Sequence, residues 1–145
     1  MSVGRICSRV VVTARPDESV RDAAVRMGRQ RVGTLVVVEE DARPVGILTD
    51  RDVAVRCVGG HLDPDVTEVA DIMTAPVRGV LEGTPIEDAL SRMANAATRR
   101  LVVVDDAERL VGLLAMDDVL DLLAEEASDI GRLLGGQSKA PSSPR

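Results

Sequence analysis

The sequence predicts an α+β protein made of two tandem β-α-β-β-α repeats of α/β type, related by a pseudo-twofold axis. Three observations predict it. A four-residue apolar motif occurs twice, many other positions match at the same offset, and strand and helix signals follow in the same order in both copies. Leu35-Val36-Val37-Val38 returns as Leu101-Val102-Val103-Val104, 66 residues later. The same offset carries Val3 to Val69, Ile6 to Ile72, Val11 to Val77, Asp22-Ala23 to Asp88-Ala89 and Arg26-Met27 to Arg92-Met93. It also carries Val45-Gly46 to Val111-Gly112 and Asp52-Val53 to Asp118-Val119, with no gap between positions 3 and 53. Chance supplies one tetrapeptide match far more readily than a fixed register over that length.

Each copy reads in the same order. Val10-Val11-Val12, and the stretch from Val77 to Leu81, are short strand candidates. A helix follows. Thr84-Pro85-Ile86-Glu87 has the form of a capping box with proline at the first helical position, and Ser19 to Asp22 gives a similar box shifted by one residue. Val20, Ala23, Ala24 and Met27 recur at helical spacing, as do Ile86, Ala89, Leu90 and Met93. The valine runs are buried strands of β-branched residues. Glu39-Glu40-Asp41 and Asp105-Asp106 are polar turns, and Val45 to Leu48 and Leu110 to Leu114 return as the second strand of a hairpin. A second helix runs from about Asp50 to Val58 and from about Asp117 to Ala127.

The division that follows is a first repeat over 3–60, a linker over 61–68 marked by Gly59-Gly60 and Pro64, and a second repeat over 69–127. Residues 128–145 are a C-terminal helix extension and a disordered tail that begins near Gly135. A lone repeat of roughly 60 residues is marginal, so the two are expected to bury their apolar sheets against each other.

Composition narrows the function. Apolar residues make up 45% of the chain, yet it holds no Phe, Tyr or Trp. Any pocket therefore has aliphatic walls, and the stacking platform used for single-stranded nucleic acid is missing. A net charge of −6 repels phosphate backbones and anionic lipid, which argues against nucleic acid and membrane partners. Arg15, Arg21, Arg26, Arg29 and Arg31 cluster locally among Asp17, Glu18 and Asp22; a solvated mixed-charge helix face is favoured there over a phosphate patch. Two distant cysteines and no signal-like apolar stretch point to reduced thiols in the cytoplasm.

The Asp71-Ile72-Met73-Thr74 lead-in, the paired valine strands and Gly46-Ile47-Leu48-Thr49-Asp50-Arg51-Asp52 resemble the CBS-domain family, two copies of which form a Bateman module. The resemblance covers about Val3 to Ala127 and is nearest to stand-alone bacterial and actinobacterial CBS-pair proteins. It implies a regulatory module that binds an adenine nucleotide (AMP, ADP or ATP) or an S-adenosylmethionine-like ligand in the cleft between repeats. It further implies a homodimer, pairing through helices, that signals to a separate effector protein. In the family's Gly-x-x-Thr-x-x-Asp stretch the hydroxyl contacts phosphate and the carboxylate accepts from ribose, which here implies Gly46, Thr49 and Asp52. Residue chemistry agrees: glycine permits close approach, and a helix N-terminus favours an anion. Thr49-x-x-Asp52 is also a helix-capping pattern, and the two roles are compatible.

The second copy reads Gly112-Leu113-Leu114-Ala115-Met116-Asp117-Asp118, which keeps Asp118 but has alanine for the hydroxyl. Losing one such hydrogen bond costs about 1–3 kcal/mol, so one better and one weaker or empty pocket are expected. Arg99 and Arg100 stand where family members place basic residues that reach phosphate. One or other is expected to assist the Thr49–Asp52 pocket across the cleft; an exposed pair at a strand start is the alternative. Val12, Thr13, Val32 and Gly33 are candidates for the adenine wall.

Other constellations are weaker. Cys7, Cys57 and His61 lack metal-ligand spacing, and Asp50, Asp52, Asp117 and Asp118 read as helix-start acids. No catalytic constellation stands out, so no enzyme, metal or required cofactor is expected. The competing reading is a stress or interaction scaffold that binds no nucleotide, which Ala115 favours.

Overall fold

The computed structural model describes residues 1–77 and 79–138. The elements run α1 (Val3–Ile6), β1 (Thr13–Ala14), α2 (Val20–Gln30), β2 (Thr34–Val38), β3 (Pro44–Thr49) and α3 (Asp50–Asp52), then a π-helix (Val53–Val58). After it come α4 (Val69–Ile72), β4 (Val80–Leu81), α5 (Ile86–Ala96), β5 (Arg100–Val104), β6 (Leu110–Ala115) and α6 (Met116–Ser138). The described residues form two three-stranded sheets, ordered β1-β2-β3 and β4-β5-β6. In each, the first strand lies parallel to the middle one and the third antiparallel. The expected fold class is the observed one.

The repeat extends to fine backbone detail. A bulge between Val37 and Val38 returns between Val103 and Val104. The left-handed helix ends at Arg31 (φ 57°) and Ala97 (φ 51°) are 66 residues apart, and so are the hairpin-turn residues Ala42 (φ 62°) and Glu108 (φ 63°).

Alternation along the strands decides what faces what. Leu35, Val37 and Leu48 point to one side, where Val20, Ala23 and Met27 of α2 cover them. Leu101, Val103 and Leu114 do the same under Ile86, Ala89 and Met93 of α5. Val36 and Ile47 point the other way and meet Val102, Val104 and Leu113 in an aliphatic seam between the sheets. Burying these faces against one another gives two marginal units a shared core.

The two repeats also exchange their leading segments. Val3 of α1 is wholly buried in the second repeat's core, and Val69 and Ile72 of α4 are buried in the first. Backbone hydrogen bonds fasten the exchange symmetrically. Val3 N–H donates to the Thr84 carbonyl at 2.8 Å, and Val69 N–H to that of Glu18 at 2.9 Å. Ser8 bridges Leu113, and Thr74 bridges Ile47.

Several local expectations change. The valines at 10–12 do not form β1, whose paired residues are Thr13 and Ala14. Val10 is 89% exposed because the chain crosses there from the Ser8 bridge on one sheet to β2 of the other, where the Val12 carbonyl accepts from Val36. Pro85 is the N-cap of α5 and not its first helical residue; Thr84 N–H turns back to the Leu81 carbonyl and no side chain caps the helix. Ser19 does cap α2, accepting from Asp22 N–H at 3.1 Å. The expected helix over Asp50–Val58 is three α-helical residues followed by the π-helix. Gly135 to Ser138, read as tail, continue α6, and the rest of that tail lies outside the described residues.

Candidate functional site

A cavity of about 780 Å³ opens where the seam meets the second repeat. Its floor is aliphatic: Ile47 of β3, Pro76 and Val77 of the segment leaving α4, Val80 of β4 and Val102 of β5. Its rim is polar: Thr74, Arg92 and Asn95 of α5, Thr98, and Arg100 at the start of β5. The volume lies in the range of small-molecule sites. A smaller cavity of about 470 Å³ lies by Leu81–Thr84 and Asp105–Asp106. The polar groups there are engaged locally, Glu82 with Arg9 at 3.0 Å and Asp105 with the N–H groups of Ala107 and Arg109.

The exchange of leading segments explains the composition of the larger cavity. Thr74 to Val77 leave α4 alongside β3 of the first repeat, so that strand forms one wall and the second repeat the other. Ile47 and Thr49 lie on the same face of β3; Ile47 lines this cavity, whereas neither Thr49 nor Asp52 is among its lining residues. Thr49 and Asp52 form a full capping box: Thr49 Oγ1 accepts from Asp52 N–H at 3.1 Å, and Asp52 Oδ2 accepts from Thr49 N–H at 3.0 Å. The cap uses the hydroxyl as acceptor, so its proton is still available to donate. The Asp52 side chain is 13% exposed and its Oδ1 lies 3.7 Å from Arg56 Nε. In the second repeat Asp118 Oδ2 accepts from Ala115 N–H at 3.2 Å, and the reciprocal bond has no hydroxyl to accept it.

Arg99 and Arg100 separate. Arg99 pairs with Asp117 at 3.5 Å, both largely exposed, away from the cavity. Arg100 lines it, and neither Arg100 nor Arg92 has an ion pair among the described residues. Their counterparts differ. Thr34 replaces Arg100, and Arg26, the counterpart of Arg92, is held by Glu18 at 2.8 Å. That hydrogen-bonded carboxylate raises the Arg26 pKa, partly opposed by desolvation.

The remaining sequence candidates lie elsewhere. Gly46 is buried against the protein's own chain: a Cβ there would meet Met73 Sδ at 2.5 Å. Val12 and Val32 pack on the first repeat's core. The Thr13 carbonyl accepts from Arg26 Nη1 at 3.0 Å, and the Gly33 carbonyl accepts from Asp50 N–H at 3.0 Å. None of these four lines the cavity, whose wall residue Thr98 is the second-repeat counterpart of Val32. Sequence reasoning missed Thr74, Arg92, Asn95 and Thr98. Arg92 was visible in the repeated Arg-Met pair, but its freedom from a carboxylate was not.

Cys7 and Cys57 are free thiols in different cores, and burial raises the pKa of Cys7. Among the described residues no group of three or more His, Cys, Asp or Glu side chains is placed to hold a metal. No described helix is long and apolar enough to cross a membrane.

The CBS domain description matches twice, at residues 3–59 and 69–125. The chain belongs to the CBS domain family. The CBS pair is 35% identical over 122 residues to protein MK0525 of Methanopyrus kandleri, which covers 84% of this chain and 62% of the relative; the chain thus spans less than two thirds of that protein. Among solved structures, the CBS domain protein PAE2072 from Pyrobaculum aerophilum complexed with AMP superposes with a TM-score of 0.75 at 28% identity, covering 88% of this chain and 99% of that one. The CBS domain pair of protein MJ0100, in complex with 5′-methylthioadenosine and S-adenosyl-L-methionine, gives a TM-score of 0.76 at 26% identity, covering 87% and 98%.

Proposed function

We propose that this CBS pair is a regulatory ligand sensor that takes an adenine nucleotide or an S-adenosylmethionine-like ligand in the larger cavity. One observation carries the reading: two arginines with no ion pair among the described residues, Arg92 and Arg100, rim an aliphatic floor walled on one side by Ile47 of β3, the strand that ends at the Thr49–Asp52 cap. Such a floor suits a purine face, the arginines suit phosphate, and the Asp52 carboxylate suits a ribose diol. AMP in PAE2072, and 5′-methylthioadenosine with S-adenosyl-L-methionine in MJ0100, support the adenosine class. At the positions equivalent to Thr49 and Arg100 in the other repeat, Ala115 lacks the hydroxyl and Thr34 lacks the arginine, so one ligand per chain is expected. The ligand acts by favouring one arrangement of the two repeats, which needs different affinities for the two states. A homodimer in the cytosol, signalling to a separate effector without catalysing a reaction, completes the reading.

Calorimetry with AMP, ADP, ATP, adenosine and S-adenosylmethionine tests it. The expected affinity for the preferred ligand is near micromolar, about −8 kcal/mol. Arg100→Ala should weaken phosphorylated ligands about tenfold or more and leave adenosine nearly unchanged. Absence of heat with every adenosine compound at millimolar concentration would refute the reading and leave the binding-inactive scaffold.

A further inference from the structure

We propose that Glu18 is a specificity residue: a built-in counter-anion that occupies Arg26 and so confines phosphate recognition to the cleft rimmed by Arg92 and Arg100. The proposal rests on the reading of that cleft given above. Its basis is a comparison the molecule makes within itself. Arg26 and Arg92 occupy equivalent positions on α2 and α5. Glu18 and Thr84 are likewise equivalent, and each backbone carbonyl accepts from the leading helix of the other repeat. The scaffold is therefore the same, and the side chain at this one position decides what the arginine does.

In the first repeat Arg26 Nη1 donates to Glu18 Oε2 at 2.9 Å and to the Thr13 carbonyl at 3.0 Å. Its Nη2 lies 2.8 Å from Glu18 Oε1, which is buried and has no well-directed hydrogen bond of its own. Arg15 N–H donates to Glu18 Oε2 at 2.7 Å, which fixes the carboxylate. The pair is mostly shielded, with side chains 34% and 15% exposed, so its attraction is screened less than that of a surface pair. A ligand phosphate approaching Arg26 must displace a carboxylate already hydrogen-bonded to Nη1 and ion-paired with Nη2. In the second repeat Thr84 has no charge, and Arg92 stays open to the cavity. The number of arginines does not explain the difference, because α2 carries an additional exposed Arg29 where α5 has Asn95. The carboxylate does.

The test follows the Nε–H signals of Arg26, Arg92 and Arg100 by NMR while AMP is added to the full chain. AMP should move Arg92 and Arg100 and leave Arg26 in place. Glu18→Thr combined with Thr34→Arg, which copies the arginine rim of the second repeat, should let Arg26 respond as well, while Thr34→Arg alone should not. The reverse exchange, Thr84→Glu, should weaken AMP about tenfold and leave adenosine unchanged, a contrast that misfolding cannot produce. Movement of Arg26 with Glu18 intact, an Arg26 that stays silent when Glu18→Thr and Thr34→Arg are combined, or an unchanged AMP-to-adenosine ratio in Thr84→Glu would each overturn the inference. Silence of Arg92 and Arg100 in the wild type refutes the proposed function instead, so the two failures are read on different residues.

Discussion

Replacing Gly112 by alanine separates a packing role for this glycine from any role at a ligand. A Cβ at Gly112 would lie 2.6 Å from the Ser8 carbonyl oxygen and 2.8 Å from Cys7 Sγ. The Ser8 oxygen cannot swing aside. It accepts from Leu113 N–H at 2.9 Å while Ser8 N–H donates to the Leu113 carbonyl at 2.9 Å, so relieving the clash pulls apart both bonds that hold the first leading segment to β6. Overpacking of this kind costs about 1–3 kcal/mol, and two weakened backbone bonds add about 0.5–1.5 kcal/mol each. At the equivalent position, Gly46, the nearest atom is Met73 Sδ at 2.5 Å, near the end of a flexible side chain that can move. That substitution should cost about 1 kcal/mol. A chain of this size loses about 4 °C of Tm per kcal/mol. Gly112→Ala should therefore lower Tm by more than about 10 °C, and Gly46→Ala by about 4 °C. Far-UV circular dichroism is the assay, since the chain has no aromatic fluorophore. Hydrogen exchange should show residues 1–8 loosened only by Gly112→Ala. Equal losses, or an unchanged leading segment in Gly112→Ala, would refute the assignment of Gly112 to close backbone contact and of Gly46 to contact with a side chain that can move.

Thr49→Ala removes the α3 cap and should cost about 1 kcal/mol in chemical denaturation; in calorimetry it should also weaken the nucleotide. Ala97→Gly relieves a left-handed helix end at φ 51° and should raise Tm by a few degrees, because a non-glycine residue there carries about 1 kcal/mol of strain. Arg99→Ala breaks only the exposed pair with Asp117, so both stability and AMP affinity should stay within about 0.5 kcal/mol of wild type, in contrast to Arg100→Ala. Burial raises the Cys7 pKa above its ordinary value of 9.0, so the folded state favours the neutral thiol. The stability this supplies is full below pH 9 and is lost as pH rises through the raised value. Melts above pH 9 should therefore fall more steeply for wild type than for Cys7→Ala.

Much of the architecture is legible in the residues because local signals and burial agree. The valine runs at 35–38 and 101–104 combine β-branching with a fixed register, and they are the middle strands of both sheets. Ser19 caps α2 because a serine before an apolar-periodic run has a local backbone N–H within reach. The less legible parts depend on long-range placement. Val10 has strand propensity, but it lies where the chain passes between two sheets, and propensity does not report that. Nor does any local pattern say that α1 and α4 pack in the other repeat. The site inherits this difficulty. Thr49, Asp52 and Arg100 were visible as types at family positions. The wall opposite Ile47 of β3 belongs to the second repeat because of the exchange, so the aliphatic candidates near Val12 and Val32 lie beside the first core instead. Arg92 reads as free only once Glu18 is seen clasping its counterpart.

The crossing of α1 and α4 has a consequence for dissecting this chain. A fragment cut within 61–68 would keep a helix with nowhere to dock and a groove with nothing to fill it. Two such fragments mixed together would each hold the plug that the other needs. A single fragment on its own could satisfy that need only by clasping another copy of itself. Severed halves should therefore regain structure as a reciprocal pair and not as two independent bodies.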